Sequence, residues 1–344
     1  MRQRLSEVFD RPAVVVILGV LVLAGCARPA GGPPPVPGTA PSSAGTAPSA
    51  ASVPSSDRGP APSPPEAPGS YSKVLLIAEE NHGFDEVIGS DDAPYLNRLA
   101  TTYGNAVSLD AGYPARCPSL AAYLLLTSGS THDVCDDRGP SAHPLRGDSV
   151  FQQVAVSGRE WRNYAESAPG PCTLRDSADG RYLVRHVPAT YYLGERSNCA
   201  RWAVPMGTPQ AGALHSDVAA GALPAFGFVS PDACHDMHGA PPCRDDPVGA
   251  GDRWLRSWLP QILAGPDYRS GRLVVIITWD EGTRRDNHIP TLVVSPTTDG
   301  IVADEPFTHC STLRTIEEVL RLPLLGCAEE AASMTRVFRL GTTR

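Results

Sequence analysis

The chain has 344 residues and a formal net charge of −8. That balance disfavours a nucleic-acid partner, which calls for clustered positive charge. Proline (35) and glycine (32) are abundant and crowd one N-terminal stretch, so not all of the chain is available for a packed core; no internal repeat and no second linker is visible.

Residues 1–26 carry Arg2, Arg4 and Arg11, an apolar run from Ala13 to Gly25, and then Cys26. A run of about 13 residues is too short for a membrane-spanning helix, which needs about 20, so it reads as the core of a signal peptide. Leu23-Ala24-Gly25-Cys26 resembles the bacterial lipobox, whose cysteine is diacylated and becomes the new N-terminus. The expectation is an exported cell-surface lipoprotein, anchored by lipid on the outer face of the plasma membrane. Residues 27–70 are almost wholly Pro, Ala, Gly, Ser and Thr, with no aromatic residue. Such a segment cannot bury enough apolar surface to offset its ordering entropy and reads as a disordered, extended tether.

Residues 71–344 remain for one folded domain, near the upper size for a single α/β unit. Apart from Cys26, cysteines stand at 117, 135, 172, 199, 234, 243, 310 and 327. An even number in an exported chain predicts disulfides. The spacings permit four local bridges (117–135, 172–199, 234–243, 310–327), although eight cysteines allow 105 connectivities. No Cys-x-x-Cys occurs to favour a thiolate zinc site.

Taken in chain order, apolar runs predict strands at Lys73–Ala78, Ala225–Val229, Leu273–Trp279 and Thr291–Val294. Helical periodicity falls at Ala93–Tyr103, Ser119–Leu126, Asp148–Val156, Gly251–Leu263 and Ser311–Leu320. Strands alternating with helices predict an α/β fold with a mainly parallel sheet covered on both faces. In such sheets ligands bind beyond the carboxyl ends of the strands. The first strand leads into Glu80-Asn81-His82, the second into Asp232, His235, Asp236 and His238, and the third into Asp280-Glu281. Crowded carboxylates repel unless a cation lies among them. Oxygen ligands such as Glu80, Asn81, Asp280 and Glu281 suit a hard divalent ion of the Mg²⁺, Mn²⁺ or Ca²⁺ class. Ser119 follows Pro118 at the start of a helix-compatible run, where free N–H groups favour an anion. Taken alone, a serine there is an ordinary helix cap.

Six stretches, "EENHGFDEVIG", "CPSLAAYLLLTSGSTHDV", "CTLRDS…YLVRHVPATYY", "FVSPDACHDMHG", "ITWDEG" and "THCSTLRTIEEVLRL", occur in this order. Together they resemble the bacterial phosphoesterase family of secreted acid phosphatases and phospholipases C, within the alkaline phosphatase superfamily. The resemblance runs from about Lys73 to Leu325. It implies an alkaline phosphatase-like fold, a metal held by Glu80, Asn81, Asp280 and Glu281, and a phosphorylated nucleophile at Ser119. It also implies that His186, Asp236 and His238 surround the phosphate. The implied substrate is a phosphate monoester, with a phosphoinositide such as phosphatidylinositol 3-phosphate within the family's range and a phospholipase C-type diester as the alternative. Two departures touch rate and substrate preference: Ser119-Leu120-Ala121-Ala122-Tyr123 stands where the family commonly has Ser-Leu-Pro-Asn-Tyr, and His82-Gly83 replaces a basic or small polar pair. A sulfatase is excluded, because Cys117 lacks Pro at +2 and Arg at +4.

A Ser hydroxyl is a weak nucleophile at neutral pH and needs metal activation. If a protonated His is required, its ordinary pKa near 6.5 predicts an acidic optimum. His309 is a further site candidate, His132 reads as structural, and His143, His215 and His288 read as surface or loop residues. The five tryptophans read as packing. A non-catalytic surface-binding lipoprotein is the reading of another class, and a hydroxyl facing a carboxylate cluster is what it would not need.

Overall fold

In a computed structural model of the protein, the described residues are 70–341, apart from 240 and 284–286. The readings made on residues 1–26 and on the tether up to residue 69 lie outside them. The described strands are β1 (Lys73–Glu79), β2 (Gly104–Ala106), β3 (Leu109–Asp110), β4 (Trp161–Ala165), β5 (Ala203–Pro205), β6 (Phe226–Ser230), β7 (Leu273–Trp279), β8 (Thr291–Val294), β9 (Val302–Ala303) and β10 (Phe307–Thr308). The helices are α1 (Phe84–Val87), α2 (Pro94–Thr102), α3 (Leu120–Ser128), α4 (Val150–Val156), α5 (Arg196–Trp202), α6 (Ala213–Ala220), α7 (Pro247–Ala264), α8 (Pro266–Arg269) and α9 (His309–Leu320).

Eight strands form one sheet in the order β5-β4-β6-β1-β7-β8-β2-β9. Only β8 is reversed, pairing antiparallel with both β7 and β2; β3 and β10 pair separately. Every residue of β6, β7 and β8 is buried, as is all of β1 beyond Lys73. Successive side chains point to opposite faces, so unbroken burial means that both faces are covered. Helices α3, α4 and α9 pack together as one group, and α2, α6, α7 and α8 as another. The expected α/β architecture is the one observed.

The four strands expected from apolar runs all form, each with ends within one residue of expectation. The helices shift a little more, and their caps give the reasons. Helix α7 starts at Pro247 rather than Gly251 because the Asp246 side chain accepts from Gly249 N, with proline at the first position. Helix α3 runs to Ser128 and stops at Gly129, whose φ of 70° ends it in the left-handed region.

The segment 159–215, in which neither apolar runs nor helical periodicity predicted an element, supplies β4, β5 and α5. Strand β4 was hidden because Arg162 and Asn163 interrupt its apolar pattern. Their closest partners come from distant parts of the chain: Arg162 Nη1 pairs with Asp217 at 2.5 Å, and Asn163 Nδ2 donates to Ser230 Oγ at 3.1 Å.

What positions a site is the central strand. β1 lies between β6 and β7, in register with Val74 beside Phe226 and Glu79 beside Trp279. After β1 the chain places β2 near the far edge beside β8, then crosses to build β4, β5 and β6 on one side of β1, and then runs through β7 and β8 on the other; β6, β1 and β7 are parallel neighbours. The carboxyl ends of β6, β1 and β7 therefore lie side by side at the switch in direction.

All eight cysteines beyond Cys26 are bridged: 117–135, 172–199, 234–243 and 310–327, with Cα separations of 4.5, 5.3, 4.9 and 5.5 Å. Alkylation under denaturing, non-reducing conditions followed by mass spectrometry should label none of these eight. Labelling of two or more would overturn the pairing. Removing one bridge should cost roughly 2–5 kcal/mol.

Candidate active site

Three backbone contacts knit the strand ends together. Asp280 N donates to Glu79 O at 2.9 Å, Glu80 N to Asp236 O at 2.7 Å, and Asn81 N to the Asp280 carboxylate at 2.9 Å. Asn81 reaches this position with a φ of 50°, a left-handed value that Asn tolerates better than most residues. Its Nδ2 donates to Glu80 Oε2 at 2.9 Å. Glu79, Glu80, Asp236 and Asp280 are all buried.

Ser119 stands just before α3, buried, and its side chain makes no cap hydrogen bond. Asp137 takes that role, accepting from Leu120 N at 3.0 Å. The Ser119 hydroxyl donates instead to Glu80 Oε2 at 3.0 Å. The simple capping reading of this serine therefore fails, and the hydroxyl faces the carboxylate cluster.

Imidazoles close the other side. His186 Nε2 lies 3.1 Å from Glu80 Oε1, its Nδ1 lies 3.5 Å from Asp236 Oδ2, and His238 Nδ1 lies 3.8 Å from Glu80 Oε2. Asp236 holds the His238 backbone by accepting from its N–H at 2.8 Å. One donor atom each from Glu80, His186 and His238 falls within 4.8 Å of the others. Beside them is Arg185, mostly buried, whose Nε lies 3.3 Å from Asp137 Oδ2. Its charge acts on Glu80, Asp236, His186 and His238.

These residues fit a divalent cation. Asp280 Oδ2, Asp236 Oδ2, His186 Nε2 and His238 Nδ1 are buried with no hydrogen-bond partner among the described residues, a state that a bound ion or water normally relieves. The joint presence of carboxylates and imidazoles is a metal-ligating chemistry. Without a cation, burial shifts the carboxyls towards their neutral forms. Burial pushes Asp280 up to about 6 against the backbone N–H groups of Asn81 and Glu281 and the neighbouring Ser119 hydroxyl, and pushes Asp236 up to about 8 against the His238 N–H. Glu80 and Glu79 are raised by burial and then by neighbouring carboxylates. Burial, then the Arg185 charge, holds both His186 and His238 below the ordinary imidazole value. The expectation of histidines near 6.5 is thus corrected: any reaction that needs an imidazolium here is pushed to still lower pH.

A stability prediction follows. A carboxyl whose pKa is raised in the folded state binds its proton more tightly folded than unfolded, so stability falls as pH rises towards the folded pKa. Histidines lowered in the folded state oppose this only below about 6.5, where the unfolded chain protonates them. Between about pH 6.5 and 8 the remaining direction is set by carboxyls that burial raises: Asp236 and Glu281 at the site and Glu317 away from it, each to about 8, with Glu79 and Glu80 raised in the same sense. The melting temperature of chelator-treated protein should fall across that window, and a divalent ion should restore most at the alkaline end. A flat or rising profile would contradict the carboxylate assignments.

Glu281 stands at the rim, half-buried, with its Oε2 accepting from Tyr113 OH at 3.0 Å. The residues after β6 divide: Asp236 and His238 join the centre, but Asp232 and His235 do not. Those two pair with Glu166 and Arg181, with His235 Nδ1 at 2.9 Å from Glu166 and Arg181 Nε at 2.7 Å from Asp232. They make a separate ion-pair network in which the guanidinium already supplies the positive charge. His309 is fully buried and its Nε2 donates to Asp280 O at 2.6 Å, so it supports the site from behind. His132 bonds Ser128 Oγ at 2.9 Å, as a structural residue would. Four residues at the centre escaped the sequence reading: Arg185, Asp137, Tyr113 and Tyr123. Arg185 was flanked by a noticed residue, His186, and Tyr113 and Tyr123 bracket Ser119.

A family model described as the phosphoesterase family matches residues 90–323. A phosphatidylinositol-3-phosphatase of Mycobacterium tuberculosis is 27% identical over 274 residues, covering 78% of this chain and 83% of the relative. An acid phosphatase of Aspergillus fumigatus is 20% identical, covering 75% of this chain and 56% of the relative. Among solved structures, an alkaline phosphatase superfamily protein of Vibrio parahaemolyticus superposes with a TM-score of 0.51 at 13% identity, over 74% of this chain and 67% of the other.

Proposed function

We propose, because this chain belongs to the phosphoesterase family and is a phosphoric ester hydrolase, that it is a metal-dependent phosphomonoesterase working through a phosphoserine at Ser119. The observation that carries this is the buried Ser119 hydroxyl, free of any capping duty, 3.0 Å from Glu80 within a cluster of unpartnered ligand atoms. Glu80, Asn81 and Asp280, with Glu281 at the rim, are the residues that would hold the cation, with His186 and His238 within reach. Oxygen donors favour Mg²⁺, Mn²⁺ or Ca²⁺, and the two imidazoles extend the range to ions such as Zn²⁺. A divalent cation there supplies positive charge for the serine and phosphoryl oxygens.

The chain's own groups then divide the work. Ser119 Oγ gives its proton to Glu80 Oε2, the acceptor of its hydrogen bond, and forms the bond to phosphorus as the bond to the leaving alcohol breaks. Arg185 offers guanidinium donors to the phosphoryl oxygens. His238, the more exposed imidazole, protonates the leaving alcohol, and His186 is held between Glu80 and Asp236 as the inner donor. Water then hydrolyses the phosphoserine.

The name of the Mycobacterium tuberculosis relative supports a phosphoinositide as substrate, and a lipidated Cys26 with an extended tether would hold the domain near such lipids. On this reading residues 1–26 export and anchor the chain, 27–70 space it, and 71–344 catalyse at the outer face of the membrane. A chromogenic phosphomonoester and the matching diester, compared with and without chelator, test the reaction. Turnover of the monoester that chelation removes is expected; turnover of the diester alone would replace the reading with a phospholipase C-type one.

A further inference from the structure

We propose that Tyr113 and Tyr123 are positioning residues that clamp the two ligand-bearing strand ends onto the nucleophile's own segment, and thereby set cation affinity. The proposal rests on the metal-site reading above. Tyr123 OH donates to Glu80 Oε1 at 2.5 Å, while Ser119 Oγ donates to the other oxygen of the same carboxylate at 3.0 Å. Tyr123 is four residues after Ser119 at the start of α3, and positions four apart lie on one helix face. The pitch of the helix thus fixes where the nucleophile stands against Glu80. The Tyr123 ring is fully buried and stacks on His186 at 5.2 Å with an interplanar angle of 6°.

Tyr113 repeats the arrangement at the other strand. Its hydroxyl donates to Glu281 Oε2 at 3.0 Å, and its ring stacks on His309, whose Nε2 donates to the Asp280 carbonyl at 2.6 Å. Between the two tyrosines Cys117 is bridged to Cys135, and Asp137 caps α3 through Leu120. One short stretch, 113–123, therefore grips the ends of β1 and β7 while carrying Ser119 between them.

A phenol suits this task because it is neutral. A carboxylate offers about four lone-pair positions; Glu80 accepts from Tyr123, Ser119 and Asn81, which fixes its plane and leaves one position for a cation. A Lys or Arg in the same place would neutralise the carboxylate and repel the ion. The partly buried pair of Tyr164 and Asp217, at 2.6 Å, shows the contrast, since Arg162 also binds that carboxylate.

Calorimetric titration of the full-length protein with Mn²⁺ alone tests the proposal, using Tyr113→Phe, Tyr123→Phe and, as a control, Tyr164→Phe. Each site variant should bind Mn²⁺ on the order of 10–100-fold more weakly. At saturating Mn²⁺, Tyr123→Phe should lower kcat with little change in KM. Tyr164→Phe should lower the melting temperature without altering Mn²⁺ affinity. In the native protein, saturating Mn²⁺ should also perturb tyrosine ultraviolet absorption, a readout that does not depend on any variant folding. Site variants that bind Mn²⁺ within about twofold of the native protein, or a native spectrum that Mn²⁺ leaves unchanged, would overturn the clamp alone. A native protein that takes up no divalent ion would instead remove the metal-site reading and this inference with it.

Discussion

Ser119→Ala should lower phosphomonoester turnover by on the order of 10³-fold or more, while cation affinity and the melting temperature change little. The hydroxyl is not a helix cap, because Asp137 holds the first N–H of α3. Its loss therefore removes little helix stability; what is lost, on the proposed mechanism, is the atom that bonds phosphorus. The covalent route carries a stereochemical signature. Two in-line displacements each invert phosphorus, so a chiral phosphate ester should be hydrolysed with net retention, and acid-quenched enzyme should carry phosphate on the peptide containing Ser119. Net inversion would mean that water attacks directly; the cluster of carboxylates would then still bind a cation, and Ser119 would be a ligand or a contact.

Asp280→Asn should produce the second largest loss, on the order of 10²-fold or more, the scale expected when charge stabilisation at a transferring group is removed. Asp280 Oδ1 already accepts from Asn81 N, whereas Oδ2 is buried and unpartnered. An amide at the same position keeps the shape and the first contact, but it brings no negative charge and turns an N–H₂ group towards the cation. Chelation of the native protein should give a loss of the same order, and adding a divalent ion should rescue the native protein far better than the variant. Asp232→Asn is the comparison: it follows β6, two strands over from β7, in the Arg181–Glu166–His235 network, so it should lower stability without changing metal affinity. Equal effects of Asp232→Asn and Asp280→Asn on cation binding would refute the division between the two clusters.

The sequence by itself determined the elements whose physics is local. β1, β6, β7 and β8 are buried on both faces, and unbroken apolar runs announce that burial without any partner being known. The acidic and imidazole residues at the ends of β1, β6 and β7 were legible for the same reason, since a polar cluster ending an apolar strand stands out in the chain. Only tertiary structure could decide which of those residues meet. Asp236 and His238 turn to Glu80 while Asp232 and His235, a few positions away, are taken by Glu166 and Arg181, because β4 brings Glu166 alongside β6. β4 was itself illegible: Arg162 and Asn163 look like surface residues until Asp217 and Ser230 arrive from distant parts of the chain. The tyrosines bracketing Ser119 were equally silent, for an aromatic residue beside a helix reads as core until a carboxylate from another strand is seen under its hydroxyl. Chain-local signals record what a residue must avoid, namely water or an apolar core. Which partner satisfies a buried polar group depends on segments brought together by the sheet order, and that order is fixed by packing over the whole domain.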